Sequence, residues 1–264
     1  MPAPLTTLRP FPSLVKLSSN VFTPAGKLIA IEGIDGSGKR TQLELLEKSL
    51  ITRGIQFHST GFPHYESWFG KMVGRFLNGD FGALESVDPH FAALLYAGDR
   101  FEAKQQLYVP LEEGKLVLAD RYIPSNLAHQ TARVPPARRD EFVAWIEHLE
   151  YVIYGLPHED LVIYLRVPPV QAQALVSKKS ARSYTSAKQD IQEGSLRHLE
   201  DAAAMYDALS RRPGWAVVEC FDSTRNEMRA PEAIAAKVLK LIEPLLTTAS
   251  LSSDAAGHGR KERR

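Results

Sequence analysis

Short apolar runs alternate with helical patterns along the chain. The runs that predict strands lie at 28–31, 55–60, 115–119, 160–167 and 215–219. Between them, apolar residues recur at helical spacing, as at Leu43, Leu46 and Leu50. Strands that alternate with helices indicate an α/β domain with five strands in one mostly parallel sheet and helices on both faces.

Helix signals are clearest in the middle of the chain. Asp88 followed by Pro89 is a typical helix start. The residues predicted to form its buried side are Phe91, Ala92, Leu94, Leu95 and Ala103. Asp99 and Arg100 follow on the same helix, where an acid and a base usually form a solvated pair.

Three further helices are predicted from apolar spacing. One runs over about 137–151. Its apolar stripe, predicted to be part of the core or a dimer face, consists of Phe142, Trp145, Ile146 and Leu149. Another starts at Asp190, with Glu193 in its first turn. A closing helix is predicted over 231–246.

The first strand leads into a glycine-rich loop with the chemistry of a phosphate site. Gly33, Gly36 and Gly38 allow backbone conformations that turn successive N–H groups toward an anion. Lys39 adds a positive charge, and the helix that starts there directs its dipole at the same anion. The residues predicted to bind ATP are Gly33, Ile34, Asp35, Gly36, Ser37, Gly38, Lys39, Arg40 and Thr41.

Arg40 departs from the Walker A pattern. This position normally holds a Ser or Thr whose hydroxyl binds Mg²⁺. Thr41 or an acidic residue must then replace that hydroxyl, or the nucleotide and water hold the metal. We expect Arg40 to contribute charge to the phosphates instead.

Polar segments follow three of the other predicted strands. Phe62-Pro63-His64-Tyr65 and Asp120-Arg121 lie just past strand ends, where parallel sheets place their ligands. There, the carboxylate is positioned to act on a metal and the guanidinium on a phosphate. We interpret a polar, basic segment at about 178–190 as a lid over the phosphoryl group. Its candidate cations are Lys178, Lys179, Arg182 and Lys188.

The composition of the chain indicates which partners are favoured and where the folded domain begins and ends. The formal net charge is only +1, so nothing in it favours nucleic acid or an acidic membrane as partner. No apolar run is long enough to span a membrane. We expect disordered segments at 1–26 and 247–264 around a domain at 27–246. The first segment lacks acids, as transit peptides do, but its prolines disfavour the helix that such peptides form.

Together these segments resemble the thymidylate kinase family, over about 27–246. The motifs that carry the resemblance are 33–42, Phe62-Pro63-His64-Tyr65, Asp99-Arg100, Asp120-Arg121-Tyr122 with Ser125 and Asn126, and Asp190 with Glu193. The lysine-arginine loop and the Asp-Arg-Tyr segment look most like the actinobacterial branch. The resemblance implies a P-loop NTPase fold of the nucleoside monophosphate kinase type.

The resemblance also implies roles at the phosphates. Lys39 and Arg40 would hold the donor phosphates, and Tyr65 and Arg121 the acceptor phosphate. The predicted catalytic set is Lys39, Arg40, Arg121, Asp35 and the lid residue Arg182. Asp35 would reach the acceptor's sugar hydroxyl or its metal, and the predicted metal ligands are Asp35, Asp120 and Glu193.

At the other end of the acceptor, the resemblance implies a base site. Arg100 and Asn126 would hydrogen-bond the thymine edge, with Tyr96 stacked on the ring and Phe62 beside it. His129 stands where many members have a tyrosine against the sugar, so we expect only a modest preference for dTMP over its ribose counterpart.

The function implied by the resemblance is a cytoplasmic, homodimeric dTMP kinase that uses Mg²⁺ and ATP. Its partners would be these small molecules rather than nucleic acid or membrane. Two alternatives stay open: a kinase of another nucleoside monophosphate, and a nucleotide-binding regulator that has lost its chemistry.

Overall fold

The computed structural model describes residues 25–176 and 195–256, with only the backbone described over 247–256. The strands are β1 Lys27–Glu32, β2 Phe57–Gly61, β3 Leu116–Asp120, β4 Leu161–Arg166, β5 Trp215–Glu219, β6 Phe221–Asp222 and β7 Glu227–Met228. The helices are α1 Lys39–Thr52, α2 Trp68–Leu77, α3 Pro89–Glu102, α4 Lys104–Glu112, α5 Ile123–Thr131, α6 Arg139–Glu147, α7 Pro169–Val176, α8 Leu196–Leu209 and α9 Pro231–Ala256. The predicted lid with Arg182, together with Asp190 and Glu193, lies outside the described residues, as do 1–24 and 257–264.

The central sheet confirms the predicted fold class. It has five strands in the order β2-β3-β1-β4-β5, and every neighbouring pair is parallel. Strand β1 lies between β3 and β4, with Ile29 opposite Leu118 and Leu161. After β1 the chain first forms strands on one side of it, β2 and β3, and then strands on the other side, β4 and β5. This change of side opens a crevice at the carboxyl end of β1.

Buried apolar side chains form two packed clusters. The main core lies between the sheet and its flanking helices and includes the fully buried Ile29, Leu118 and Ile163. A second cluster joins α2 to α3, through residues such as Val73, Phe76, Leu77, Ala92 and Leu95. The sequence pattern did not indicate α2, α4, α7 or the β6–β7 hairpin, because short elements leave weak periodic signals.

Two helices differ in extent from the predictions. The pattern over 137–151 corresponds to α6 followed by a π-helix at His148–Ile153, in which the N–H of Tyr154 bonds the carbonyl of Leu149 over 2.9 Å. Phe142, Ile146 and Leu149 are buried as predicted, and Trp145 is half-buried. The closing helix α9 continues to Ala256, beyond the predicted end at 246.

Helix α3 corrects two predictions about its faces. Phe91 and Leu94 are 40% and 37% exposed and do not belong to its buried side, whereas Ala92 and Leu95 do. Asp99 and Arg100 are each 1% exposed and therefore do not form a solvated pair. The inward face of this helix thus carries charge, which needs partners from other elements.

Candidate active site

The glycine-rich loop after β1 has the backbone that an anion site requires. Gly33, Gly36 and Gly38 have φ angles of 145°, 86° and 88°, which side chains other than glycine rarely adopt. A Cβ at Gly36 would lie 2.1 Å from the carbonyl oxygen of Ala172 in α7. The loop therefore depends on glycine both for its turns and for its packing against α7.

Lys39 is held inside this loop. Its Nζ donates to the carbonyl oxygens of Gly33 at 2.9 Å and Ile34 at 3.0 Å. Burial and the nearby Arg121 lower the pKa of Lys39 to about 8, although acids including Asp35 oppose the shift. At neutral pH the loop thus contains a mainly protonated lysine whose donors are directed into it.

Arg121 lies at the mouth of the same loop. Its φ of 67° is unusual for a non-glycine residue, and its N–H bonds the carbonyl of Ile31 over 3.1 Å. The guanidinium is within reach of Asp35 Oδ1 (2.5 Å), Ser125 Oγ (3.0 Å), His129 Nε2 (3.3 Å) and the Gly33 carbonyl (3.4 Å). Burial disfavours its charge, but Asp35 together with Tyr206, Glu32 and Asp120 raises the pKa of Arg121 well above its ordinary value.

Glu32, at the end of β1, holds the turn that carries Arg121. Its fully buried carboxylate accepts the N–H of Tyr122 at 2.7 Å and the hydroxyls of Ser125 at 2.6 Å and Tyr206 at 2.8 Å. Burial raises the pKa of Glu32, against these hydrogen bonds and the charge of Arg121. The sequence analysis missed this residue, although an acid that ends an apolar strand is a signal for such a role.

Two carboxylates could serve a cation at this edge of the sheet. Asp35 pairs with Arg121, and Asp120 is the last residue of β3, with its Oδ1 buried and without a hydrogen-bond partner. The charges of both oppose the lowering of the Lys39 pKa. The part of the chain that the structure describes contains no cluster of three or more metal-binding side chains.

A pocket of about 510 Å³ opens beside Arg121. Every residue predicted to bind the acceptor contributes to its lining: Phe62, Tyr65, Tyr96, Arg100, Arg121, Asn126 and His129. Residues that the sequence analysis did not assign complete the wall: Pro63, Leu77, Ser125 and Gln130. The pocket therefore joins the loop end, with Asp35 and Arg121, to the α3–α5 side.

Asn126 and Arg100 share one buried acid at the α3–α5 side of the pocket. The Nδ2 of Asn126 donates to the Ala93 carbonyl at 3.1 Å and to Glu150 Oε1 at 2.8 Å, while its Oδ1 is buried without a partner. Arg100 donates to both oxygens of Glu150, at 2.5 and 2.7 Å. Glu150 was missed, although a charge within the apolar run 149–153 is a signal for a buried partner.

Aromatic rings form the remaining wall of the pocket. Phe62 is buried and its ring lies 5.8 Å from that of Tyr122, and the Phe62–Pro63 peptide bond is cis. Tyr96 meets the edge of Phe76 with a centroid distance of 6.3 Å. An aromatic wall between two polar ends suits a planar ligand with polar groups at both ends.

His129 forms a buried hydrogen-bonded pair with His198 of α8. Its Nε2 faces the Arg121 guanidinium, and its Nδ1 lies 3.3 Å from His198 Nε2. Burial, together with the charge of Arg121, lowers the pKa of His129 well below its ordinary value. Burial and Arg133 lower the pKa of His198 to about 4. Both rings are therefore neutral at pH 7.

The structure does not bring the Arg40 and Thr41 side chains into this site. Both residues are exposed on α1, and Arg40 Nε pairs with Glu44 of the next turn at 3.0 Å, with 85% of the Arg40 side chain accessible. Among the described residues, the cations at the loop are the buried Lys39 and the half-buried Arg121.

Comparisons with known proteins agree with this geometry. The family model for thymidylate kinase matches residues 31–228. A probable thymidylate kinase of Pyrobaculum aerophilum is 34% identical over 218 residues, which cover 81% of this chain and 95% of that protein. The thymidylate kinase of Mycobacterium tuberculosis is 31% identical, covering 71% and 87%. The structure of the Candida albicans thymidylate kinase has a TM-score of 0.64 at 20% identity, covering 85% of this chain and 93% of that one, and supports the fold.

The histidine pair makes stability depend on pH. Because both folded pKa values lie below the unfolded value of about 6.5, the stability that depends on neutral rings is complete above pH 6.5 and falls as the pH drops toward 4. We expect the melting temperature of His198→Gln to fall less between pH 7.5 and pH 5 than that of the parent. The exposed His148→Gln is the control and should follow the parent. An unchanged pH dependence in His198→Gln would exclude this role.

Proposed function

The chain belongs to the thymidylate kinase family, and we propose that the pocket beside Arg121 holds dTMP while the glycine-rich loop holds the phosphates of ATP. The reaction is the transfer of the γ-phosphoryl group of ATP to dTMP, which gives dTDP and ADP. The observation that supports this assignment is that the pocket has a polar group at each end. The Arg121 guanidinium reaches the phosphate loop at one end, and the other end is lined by Asn126, whose buried amide oxygen has no hydrogen-bond partner.

The charges at the loop suit phosphoryl transfer without a covalent intermediate. The transition state is loose and anionic, so catalysis is mainly positioning and electrostatic stabilisation. Lys39 supplies a charge at the donor phosphates, and Arg121 supplies one at the acceptor phosphate. The ion pair with Asp35 orients the guanidinium before the acceptor binds, which lowers the cost of ordering it.

Mg²⁺ fits this site as a cation shared with the nucleotide. Such ions are usually held by one or two carboxylates, with phosphates and waters completing the shell. Asp120, with its buried unpartnered oxygen, and Asp35 are the carboxylates that would hold it, and we retain Glu193 as a further candidate. The ion would neutralise charge on the phosphates. Arg40 has at most a supporting role, because its side chain pairs with Glu44.

Asn126 and Arg100 would read the thymine edge. Thymine presents an N3–H donor beside a carbonyl acceptor, and these match the Asn126 Oδ1 acceptor and the Arg100 donor. Cytosine presents an acceptor and a donor at these positions. Its acceptor would face the Asn126 Oδ1 acceptor, and its donor would face the Arg100 donor. A site built on such pairing rejects the wrong base strongly because buried groups are left unpaired.

The remaining pocket residues would hold the ring, sugar and phosphate. Tyr96 and Phe62 lie at the aromatic wall, and Tyr65 is placed to assist Arg121 at the acceptor phosphate. His129 uses both ring nitrogens within the protein, so it would select the sugar by its bulk rather than by a hydrogen bond. This supports the modest preference for deoxyribose expected from the sequence. Arg182 remains the candidate lid cation.

The setting of the enzyme is a further part of the proposal. We propose a cytoplasmic location, since the buried free Cys220 agrees with a reducing compartment. Among the described residues, no helix has the length and apolar character to cross a membrane. A place in the actinobacterial branch is supported by the Mycobacterium tuberculosis relative, but the archaeal relative is more similar.

A homodimer is supported by the outer face of α3. Phe91, Leu94 and Phe101 point to one side of this helix and are all exposed, and Trp68 of α2 is exposed as well. Exposed apolar side chains grouped on one helix face are typical of an interaction surface rather than of free solvent contact. We propose that two copies pack through this face, which we call the α3 face.

The first test concerns the chemistry. Lys39→Ala and Arg121→Ala should each lower kcat for dTMP by about 10³-fold or more, because each removes a cation from an anionic transition state. The control is Lys48→Ala, an exposed lysine on the same helix as Lys39. ADP release should be measured for each protein with dTMP, dCMP, dGMP and dAMP.

The result of that panel separates the alternatives. The proposal requires the parent protein to use dTMP best. A different best substrate would identify a kinase of another monophosphate, and no turnover with any of them would identify a nucleotide-binding regulator. Near-normal turnover in a folded Arg121→Ala protein would refute the assigned mechanism.

The second test concerns the α3 face. Leu94→Lys places a charge on this face and should convert a dimer into a monomer, as measured by sedimentation velocity. Ile51→Lys makes the same kind of change at an exposed apolar position on α1 and should leave the dimer intact. If the parent protein is monomeric, or if both variants stay dimeric, the α3 face is not the interface.

A further inference from the structure

In the part of the chain that the structure describes, Glu150 is the one acid that hydrogen-bonds both predicted base-reading residues. It lies on the π-helix and is fully buried, and its two carboxylate oxygens accept three hydrogen bonds. Arg100 donates from Nε at 2.5 Å and from NH2 at 2.7 Å, and Asn126 donates from Nδ2 at 2.8 Å. The guanidinium and the amide are therefore held by the same group.

These contacts determine which atom Asn126 presents to the pocket. Nδ2 has two donor hydrogens, and both are used, one on Glu150 and the other on the Ala93 carbonyl. The amide cannot turn over without placing its oxygen against two acceptors. Its Oδ1 is consequently left as a buried acceptor without a partner, on a residue that lines the pocket.

We propose that Glu150 is a specificity-determining positioning residue, which selects thymine over cytosine by holding the Asn126 amide and the Arg100 guanidinium in the orientation that fits a base with an N3–H donor. Glu150 itself does not line the pocket, so it acts through these two side chains. This inference rests on the proposed function, because it concerns how the same pocket chooses its base.

The cost of burying this ion pair argues against a purely structural role. The side chains of Arg100 and Glu150 are 2% and 0% exposed, and a buried pair of this kind is often no more stabilising than apolar residues of similar volume. Burial disfavours the Arg100 charge, but Glu150 outweighs it and keeps the pKa of Arg100 above its ordinary value. The π-helix, a distortion that is frequent at functional sites, brings adjacent residues Leu149 and Glu150 both inward.

Glu150→Gln tests the proposal because one amide oxygen cannot accept from all three donors in their present geometry. The glutamine NH₂ must face either Asn126 or Arg100. The side chain that it faces loses its acceptor and leaves the orientation that reads the base. We expect the ratio of kcat/KM for dTMP to that for dCMP to fall by about 30-fold. This loss should come through KM for dTMP, with kcat at saturation within about 3-fold of the parent, because Glu150 does not touch the phosphates.

Two further variants isolate this effect. Glu150→Asp keeps both oxygens on a shorter stem and should give an intermediate ratio. Glu159→Gln replaces another acid nearby, which is half-buried, accepts the hydroxyl of Tyr151 at 2.7 Å through its Oε2 and does not line the pocket. Its ratio should equal that of the parent.

Each outcome decides the question. A folded Glu150→Gln protein with the parent ratio overturns the proposal, as does an equal loss of selectivity in Glu159→Gln. If Glu150→Gln does not fold, Glu150→Asp decides, and an unchanged ratio there overturns the proposal. Failure of the proposed function is seen separately, in the parent protein, as an absence of dTMP phosphorylation.

Discussion

The active-site architecture depends on the buried carboxylate of Glu32. It ends the central strand β1 and has no access to water, so it needs donors from the protein. Tyr122 in the turn after β3, Ser125 in α5 and Tyr206 in α8 supply them. One charge thereby joins the phosphate strand to two helices. It also holds the turn in which Arg121 adopts its left-handed backbone conformation.

A second buried acid plays the corresponding part at the far end of the pocket. Glu150 orients Arg100 and Asn126, as Glu32 supports the turn that carries Arg121. Neither acid contacts the ligand in the proposed arrangement. Each keeps polar groups that do contact it in a single orientation, which lowers the reorganisation required when the substrate binds. The acceptor pocket is thus prepared at both ends, and its apolar middle is supplied by aromatic rings.

The sequence predicted the parts of this site whose signals are local. The glycine spacing and Lys39 identify the loop, and apolar runs identify the five strands of the sheet, because both patterns depend on near neighbours along the chain. The resemblance supplied the acceptor residues, and the structure places Tyr96, Arg100 and Asn126 in one pocket. The charge of their partner Glu150 within an apolar run indicates burial but not which residues it contacts, since it approaches them only through tertiary packing and a π-helix that has no periodic signature. Phe91 and Leu94 were misassigned because periodicity does not distinguish a buried apolar face from an exposed one.

The most direct test of this account is a crystal structure of the protein with dTMP bound. The account predicts that the phosphate contacts the Arg121 guanidinium at the mouth of the loop. It also predicts that thymine N3 lies within about 3 Å of Asn126 Oδ1, with Glu150 still holding Nδ2. A complex in which the base lies away from Asn126, or in which the phosphate does not contact Arg121, would contradict it.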